Sequence, residues 1–243
     1  MASSNTFFRF KQFVVHQERT AMKVGTDGVL LGAIAQMADE EPTSPRILDI
    51  GTGTGLVAIM LAQRFPLATV TAVEIDPDAA GQAVENCQAS PFGSRIGVVC
   101  ADANEFEAAE PFDLIVSNPP YFTDQLQCPD GQRNMARHTV GLSHTALMSI
   151  GARLLSPTGR MAVIVPAEAA SHLEAEAEKV GLALAIKTTI FSNKRKPARR
   201  AICQFCRAEN KSATAENELT LLNADGSLTH EYQSVTSDFY LDK

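Results

Sequence analysis

Short apolar runs alternate along the chain with longer segments in which apolar residues recur at helical spacing. Apolar runs bounded by turn residues are typical of strands that are buried on both faces of a parallel sheet. The segments between the runs are long enough for the helices that connect parallel strands. The runs that we predict as strands are 46–50, 69–74, 96–101, 112–117, 160–166, 183–191 and 201–207. The alternation therefore predicts an α/β fold built on a parallel sheet.

Weaker patterns flank this alternation. Residues 7–17 partly alternate apolar and polar side chains, which predicts a strand or a short hairpin. A loop then leads into an apolar helix over 29–35, for which Thr26 or Asp27 is a plausible N-cap.

The C-terminal segment 208–243 is predicted to form an extended hairpin around the turn 223–226. We find no internal repeat and no sign of a second domain. We therefore predict a single domain over 1–243, with an N-terminal extension to residue 45, a core over 46–207 and the C-terminal hairpin.

The first predicted strand runs directly into a glycine-rich turn. Asp49 lies near its end, and Gly51, Gly53 and Gly55 follow at alternate positions before a helical pattern begins. Glycine permits positive φ and lets a ligand lie against the main chain, and the helix N-terminus beyond offers unpaired N–H groups. The spacing differs from the dinucleotide fingerprint and lacks the lysine of a P-loop. It indicates a nucleotide-type site, although a turn without a ligand has the same pattern.

Acidic residues follow two further predicted strands. Glu74 ends the strand 69–74, and a carboxylate at that distance from a glycine turn can accept hydrogen bonds from both hydroxyls of a ribose. Asp102 follows the strand 96–101, where it can accept from the exocyclic amine of an adenine ring. Because carboxyl ends of parallel strands meet at one edge, these acids and Asp49 are expected to line one site.

The fourth strand, 112–117, ends in Asn118, Pro119, Pro120 and Tyr121. The two prolines fix φ and remove two N–H donors, so the loop presents carbonyl groups. Asn118 adds a side-chain acceptor, and Tyr121 adds a flat ring for stacking. The motif suits a planar amino group on an sp² system. The competing interpretation is a turn stiffened by proline.

Composition restricts the class of protein. The chain has 243 residues, 45% of them apolar, and a net charge of −7. This charge argues against general affinity for polyanions. No apolar run approaches a membrane span, the start lacks a signal-peptide layout and the five cysteines show no disulfide framework, so we expect a cytoplasmic protein with no membrane association.

No metal site is predicted. Cys203 and Cys206 form one C-x-x-C, but no second pair or histidine cluster completes a zinc site. Because they lie in the predicted strand 201–207, three positions apart, they face opposite sides and are better interpreted as packing residues.

One dense basic run and one long polar loop remain. Five cations fall within seven residues, at Lys194, Arg195, Lys196, Arg199 and Arg200. Such a run is often only a solvated loop, but in an acidic chain it favours contact with a phosphate backbone. The loop 123–139 is longer than a simple connection and is interpreted as a substrate lid.

Together these motifs resemble the class I S-adenosylmethionine (SAM) dependent amino-methyltransferases. The resemblance implies a Rossmann-like fold with a seven-stranded, mostly parallel sheet, an antiparallel last strand and helices on both faces. It implies SAM as the cofactor, with Asp49 and the glycine backbone at its methionine end.

A narrower resemblance rests on the phenylalanine-rich start, on the segment 23–32 and on the closing Asp238, Phe239 and Tyr240. These look like the bacterial tRNA1(Val) adenine-N6 methyltransferases, which modify the adenosine beside the anticodon. The resemblance implies a tRNA partner, and we expect a monomer. The loop before the first helix is interpreted as closing over the cofactor, through Lys23, Gly25, Thr26 and Asp27. That loop could equally be an ordinary helix cap.

Three alternatives stay open. The same Asn-Pro-Pro-Tyr motif occurs in methyltransferases of a protein glutamine amide, such as those acting on release factors, although these carry a helical domain ahead of the SAM fold. A DNA adenine methyltransferase is disfavoured because no target-recognition domain is visible. A non-catalytic SAM-binding RNA chaperone would not need the intact motif.

Overall fold

The computed structural model describes residues 6–38, 42–120 and 142–241. Within them the strands are β1 (Phe7–Arg9), β2 (Val14–His16), β3 (Arg46–Ile50), β4 (Thr69–Glu74), β5 (Ile96–Cys100), β6 (Phe112–Ser117), β7 (Leu155–Pro166), β8 (Leu182–Phe191), β9 (Arg200–Arg207) and β10 (Ala215–Thr220). The α-helices are α1 (Thr26–Ile34), α2 (Leu56–Arg64), α3 (Pro77–Ala89), α4 (His144–Leu154), α5 (Ala170–Lys179) and α6 (His230–Thr236). None of these helices is long and apolar enough to span a membrane.

Eight strands form the main sheet, in the order β10-β8-β9-β7-β6-β3-β4-β5. Neighbours pair in parallel except at β9, which is antiparallel to both β7 and β8. The predicted fold class is confirmed, with all seven predicted strands present and the antiparallel one last among them. The eighth strand, β10, extends the sheet beyond the predicted seven.

The C-terminal hairpin prediction is wrong. Strand β10 pairs in parallel with β8, where Leu219 lies opposite Ile190, and the chain continues into α6. The predicted turn over 223–226 does form, but a single bridge, between Leu222 and Leu228, closes it. The open edge of β8 offers a full ladder of backbone partners, whereas a hairpin would leave that edge exposed.

Helices cover both faces of the sheet, as predicted. On one face, α1, α2 and α6 contribute buried side chains such as Leu31, Leu61 and Tyr232 to one apolar cluster. On the other, α4 and α5 contribute Leu147 and Leu173 to a second cluster. Burial on both faces explains why the central strands have almost continuous apolar sequences.

The N-terminal hairpin confirms the prediction over 7–17, since β1 and β2 pair in antiparallel register. Its Phe10 ring stacks on Tyr240 with ring centroids 5.8 Å apart, and the Lys11 amide donates to the Phe239 carbonyl at 2.7 Å. The two ends of the described chain therefore pack together beside α1.

The N-termini of α3 and α1 are capped differently. Asp76 caps α3 by accepting from the amides of Asp78 and Ala79, with Pro77 in the first position. The cap of α1 is Gly25, not Thr26 or Asp27. Helix α1 begins at Thr26, one or two residues earlier than the predicted caps imply, which places the side chains of Thr26 and Asp27 in its first turn.

Candidate active site

The ends of four adjacent strands define the site. Strands β6, β3, β4 and β5 are neighbours in that order and run parallel. Ile50 lies opposite Ser117, so Gly51 and Asn118 continue from neighbouring positions, and Glu74 lies opposite Cys100, just before Asp102. The structure thus brings the predicted acids, the glycine turn and the first three residues of the Asn-Pro-Pro-Tyr motif to one edge of the sheet.

All three glycines of the turn have positive φ, at +70° for Gly51, +55° for Gly53 and +81° for Gly55. A Cβ atom added to Gly51 or Gly53 would meet no heavy atom within 4 Å, whereas one on Gly55 would lie 3.0 Å from the Sγ atom of Cys87. Gly55 is therefore required for packing. Gly51 and Gly53 instead leave open space beside the main chain, as close approach of a ligand needs.

Asp49 lies beneath the turn, with 1% of its surface exposed. Its Oδ2 atom accepts from the Thr52 hydroxyl at 2.6 Å and from the Ala58 amide at 3.2 Å. Burial raises the pKa of this carboxyl to about 7, against the lowering effect of the two hydrogen bonds. Asp49 thus joins the turn to the first residues of α2 and holds the shape of the loop.

Glu74 ties the turn to the end of β4. Its Oε2 atom accepts from the Gly53 amide at 2.8 Å, and its Oε1 atom accepts from the amides of Ile75 and Asp76 at 3.0 and 3.1 Å. Each carboxylate oxygen has two lone pairs, so capacity for a ligand hydroxyl remains. The carboxylate therefore lies at the carboxyl end of β4, beside the glycine turn.

Asp102 lies in the loop after β5, where its Oδ1 atom accepts from both the amide and the side chain of Asn104 at 2.8 Å. Arg153 of α4 fixes the same loop by donating to the carbonyls of Phe106, Ala103 and Asn104 at 2.6, 3.3 and 3.2 Å. Asp102, which is predicted to contact adenine, thus lies in a loop that Arg153 of α4 holds in place.

Asn118 is half-buried at the end of β6, with Pro119 buried and Pro120 exposed after it. Within the described residues, its Oδ1 atom is buried and accepts no hydrogen bond. Leaving such an acceptor unsatisfied costs about 1–3 kcal/mol, and buried orphans of this kind need a functional or structural reason. Tyr121 and the predicted lid over 123–139 lie outside the described residues.

The loop before α1 reaches the same edge. A Cβ atom on Gly28 would be 3.8 Å from the Asn118 Nδ2 atom, so the first turn of α1, with Thr26 and Asp27, lies against the Asn118 position. Lys23 is held farther back, where its ammonium donates to the Gln17 carbonyl.

The basic run forms the β8–β9 connection. Strand β8 runs in the same direction as β7 and β6, since both β7 and β8 are antiparallel to β9, so this connection lies at the edge that carries the site. Lys194, Arg195, Lys196 and Arg199 are exposed. Arg200 is mostly buried, and its Nε atom pairs with Asp27 Oδ2 at 2.9 Å.

Comparison with known proteins adds to this geometry. The methyltransferase small domain family matches residues 25–178. A tRNA1(Val) (adenine(37)-N6)-methyltransferase from Bacteroides fragilis is 46% identical, covering 98% of this chain and 99% of that protein. The protein of the same name from Aeromonas hydrophila is 42% identical, covering 98% of each.

This chain belongs to the tRNA1(Val) (adenine(37)-N6)-methyltransferase family. A solved structure described as a predicted O-methyltransferase from Agrobacterium tumefaciens superposes with a TM-score of 0.65 at 19% identity, covering 88% of this chain and 96% of that one. That likeness shows a shared fold.

Three contributors to the site in this family member were missed from sequence. Ile75 directly follows Glu74 and is 61% exposed, which offers an apolar surface for a flat ring. Its position between the acids Glu74 and Asp76 is a sequence signal that could have indicated this. Asn86 is buried and donates to the carbonyls of Thr54 and His16 at 2.8 Å, joining the glycine turn to the hairpin. Neither Asn86 nor Arg153 has a local signal, since their partners are distant in sequence.

Among the described residues, no three histidine, cysteine, aspartate or glutamate side chains are grouped as a metal site requires. Cys203 and Cys206 are both buried in β9, and burial raises the pKa of both thiols. Their position in the sheet is that of packing residues.

Proposed function

We propose that this protein transfers a methyl group from SAM to the exocyclic N6 of an adenosine in tRNA, at the position named for its relatives, adenine 37 of tRNA1(Val). The observation that carries the proposal is the buried, unsatisfied Oδ1 atom of Asn118 beside the glycine turn. A hydrogen-bond acceptor kept free at that position suits an amino group that arrives with the substrate.

The residues at the edge fit the cofactor. The open space beside Gly51 and Gly53 suits a ligand against the main chain. The Glu74 carboxylate is proposed to accept from the ribose hydroxyls, and exposed Ile75 and half-buried Asp102 are proposed to contact the adenine ring. When bound, SAM supplies a methyl group already activated on a sulfonium.

The difficulty for the chain's own residues is the nucleophile, because the N6 lone pair of adenine is delocalised into the ring. The Asn118 Oδ1 atom and the Pro119 carbonyl are proposed to accept from the two N–H bonds of the amine. These acceptors draw the nitrogen toward sp³ geometry and return electron density to it. Because positive charge grows on the nitrogen as it attacks, the two hydrogen bonds strengthen in the transition state. The proton is then lost from a cationic nitrogen, so no strong base is needed beforehand.

The basic connection between β8 and β9 supports RNA rather than a protein amide as the substrate. Its exposed cations lie at the same edge as Asn118, where they can contact phosphates on either side of a target nucleotide. The target base must leave its stack to reach Asn118. The name of the relatives from Bacteroides fragilis and Aeromonas hydrophila, tRNA1(Val) (adenine(37)-N6)-methyltransferase, agrees with this choice.

The decisive test measures N6-methyladenosine in tRNA1(Val) by nucleoside mass spectrometry after incubation with SAM. We expect methylation by the wild type, and a fall of about 100-fold or more in turnover for Asn118→Ala with little change in SAM affinity. Asn210→Ala is the matched control, since Asn210 is an exposed asparagine beyond the far end of β9. A release factor methylated in place of tRNA would overturn the proposal, as would undiminished turnover in Asn118→Ala.

A further inference from the structure

A cavity of about 230 Å³ opens between α1 and the β8–β9 connection. Its apolar lining comes from Leu30, Ile190 and Leu221. Leu30 and Ile190 are 0% and 2% exposed, so they form the packed floor of the cavity, and half-buried Leu221 is the apolar side chain that a ligand can reach. Its volume is below the roughly 300–1,000 Å³ of sites for drug-sized ligands, which suits one planar ring rather than a whole cofactor.

The rim of the cavity is polar and cationic. Arg199 and Arg200 both line it, opposite Asp27 of α1. The ion pair between Arg200 and Asp27 neutralises one cation within the wall, which leaves Arg199, with an exposed side chain, as the excess positive charge.

The main chain of Arg199 is fixed at this rim. Its amide donates to the Ile190 carbonyl at 2.9 Å, and its carbonyl accepts from Arg200 Nη1 at 2.9 Å and from the Ala167 amide at 3.3 Å. The guanidinium therefore starts from an ordered backbone, which reduces the entropy lost when it binds an anion. A small, partly apolar cavity with a cation at its mouth matches a base with its phosphate.

The cavity and Asn118 lie on either side of the first turn of α1. Asp27 lines the cavity, and the next residue, Gly28, faces Asn118. A strand of RNA that places one base at Asn118 and continues toward the basic connection leads its next nucleotide past this turn. Exposed Lys194 and Lys196 continue the cationic surface beyond the cavity.

We propose that this cavity binds a nucleotide adjacent to the target adenosine, with its base against Leu221 and Ser192 and its phosphate at Arg199. The proposal rests on the proposed function, because it assigns a subsite for the same RNA. It makes the first turn of α1 a divider between the target base and its neighbour.

The test fills the cavity with Leu221→Trp and uses Leu67→Trp as the matched control, since Leu67 is 70% exposed and precedes β4 at the opposite edge of the sheet. Kinetics are measured on tRNA1(Val) transcripts with either an intact base or an abasic residue at position 36 or 38. Removing a base that packs against an aliphatic side chain should raise the wild-type KM for one of the two abasic transcripts roughly tenfold.

We expect Leu221→Trp to raise the KM for the intact transcript by a similar factor. In this variant the abasic transcript should have nearly the same KM as the intact one, because the base no longer has a place to bind. SAM affinity should match that of Leu67→Trp. Ser192→Leu, on the same cavity wall, repeats the test if Leu221→Trp lowers the unfolding temperature.

If the wild type methylates the transcript, two outcomes would overturn the subsite alone. One is an unchanged KM in both Leu221→Trp and Ser192→Leu, and the other is a ratio of abasic to intact KM that is the same in the wild type and the variants. A wild type that methylates no tRNA would instead defeat the proposed function, and the subsite with it.

Discussion

Replacing Gly53 by alanine separates backbone strain from cofactor contact. Gly53 has φ of +55°, and a Cβ atom there would meet no heavy atom of the protein within 4 Å. Its amide, which donates to Glu74 Oε2 at 2.8 Å, is retained in alanine. The cost to folding is then the left-handed conformation itself, about 1–2 kcal/mol. For a chain of this size that corresponds to a fall in unfolding temperature of roughly 2–8 °C.

Gly226 provides the matched control for that strain. It has φ of +86°, a Cβ atom would again meet nothing within 4 Å, and it lies in an exposed turn near the C-terminus. Gly226→Ala and Gly53→Ala should therefore lower the unfolding temperature of the protein without cofactor by similar amounts. Gly55→Ala should lower it further, because its Cβ atom would also press on the Cys87 Sγ atom at 3.0 Å.

Only Gly53→Ala is expected to weaken SAM binding as well. If the cofactor lies against this turn, the added methyl group overpacks the site at a cost of about 1–3 kcal/mol, which raises the Kd roughly 5- to 150-fold. Isothermal titration of SAM into each variant measures this directly, and Gly226→Ala should bind as the wild type does. A Gly53→Ala protein with wild-type affinity would refute the placement of the cofactor beside the turn.

Two further predictions concern charge. Burial raises the pKa of Asp49 from its ordinary 3.8 to about 7, so between those values the folded state holds a proton that the unfolded chain has released, and stability falls as pH rises. Asp49→Asn removes this dependence on pH. In thermal unfolding without SAM, the wild type should lose stability relative to the variant between pH 5 and pH 8. An equal difference in unfolding temperature between the two proteins at both pH values would contradict a raised pKa for Asp49. Replacing both Lys194 and Lys196 by glutamate, which reverses their charge, should raise the KM for tRNA about tenfold or more. The slope of log KM against log salt concentration should fall by about two, and SAM affinity should not change. Lys211→Glu, at the far edge of the sheet, controls for net charge, and an equal effect from it would exclude a local phosphate contact.

Much of the site follows from residues close together in sequence. The glycine turn takes positive φ at all three predicted positions. Glu74 ends β4 and Asn118 directly follows β6, as the sequence predicted. Each of these features depends on a strand, its turn and the next few residues. Local preferences are sufficient there because the strands are buried on both faces and the turn chemistry is specific.

The C-terminal segment shows where local pattern is not enough. Strand β10 and a hairpin strand have the same alternation, and only the availability of the β8 edge decides between them. The cap of α1 likewise depends on how the preceding loop packs, with the Val24 amide held by Gln17 Oε1 at 2.7 Å.

The sequence by itself determined the parallel core, the positive-φ turn and the order of polar groups at the strand ends, because these depend on spacing along the chain. Tertiary structure alone decided that Asp27 pairs with Arg200, 173 positions away, that Arg153 fixes the loop of Asp102 and that a cavity lies between α1 and the basic connection. Those contacts join elements whose closeness is set by strand order and helix packing, and no local preference of either partner specifies the other.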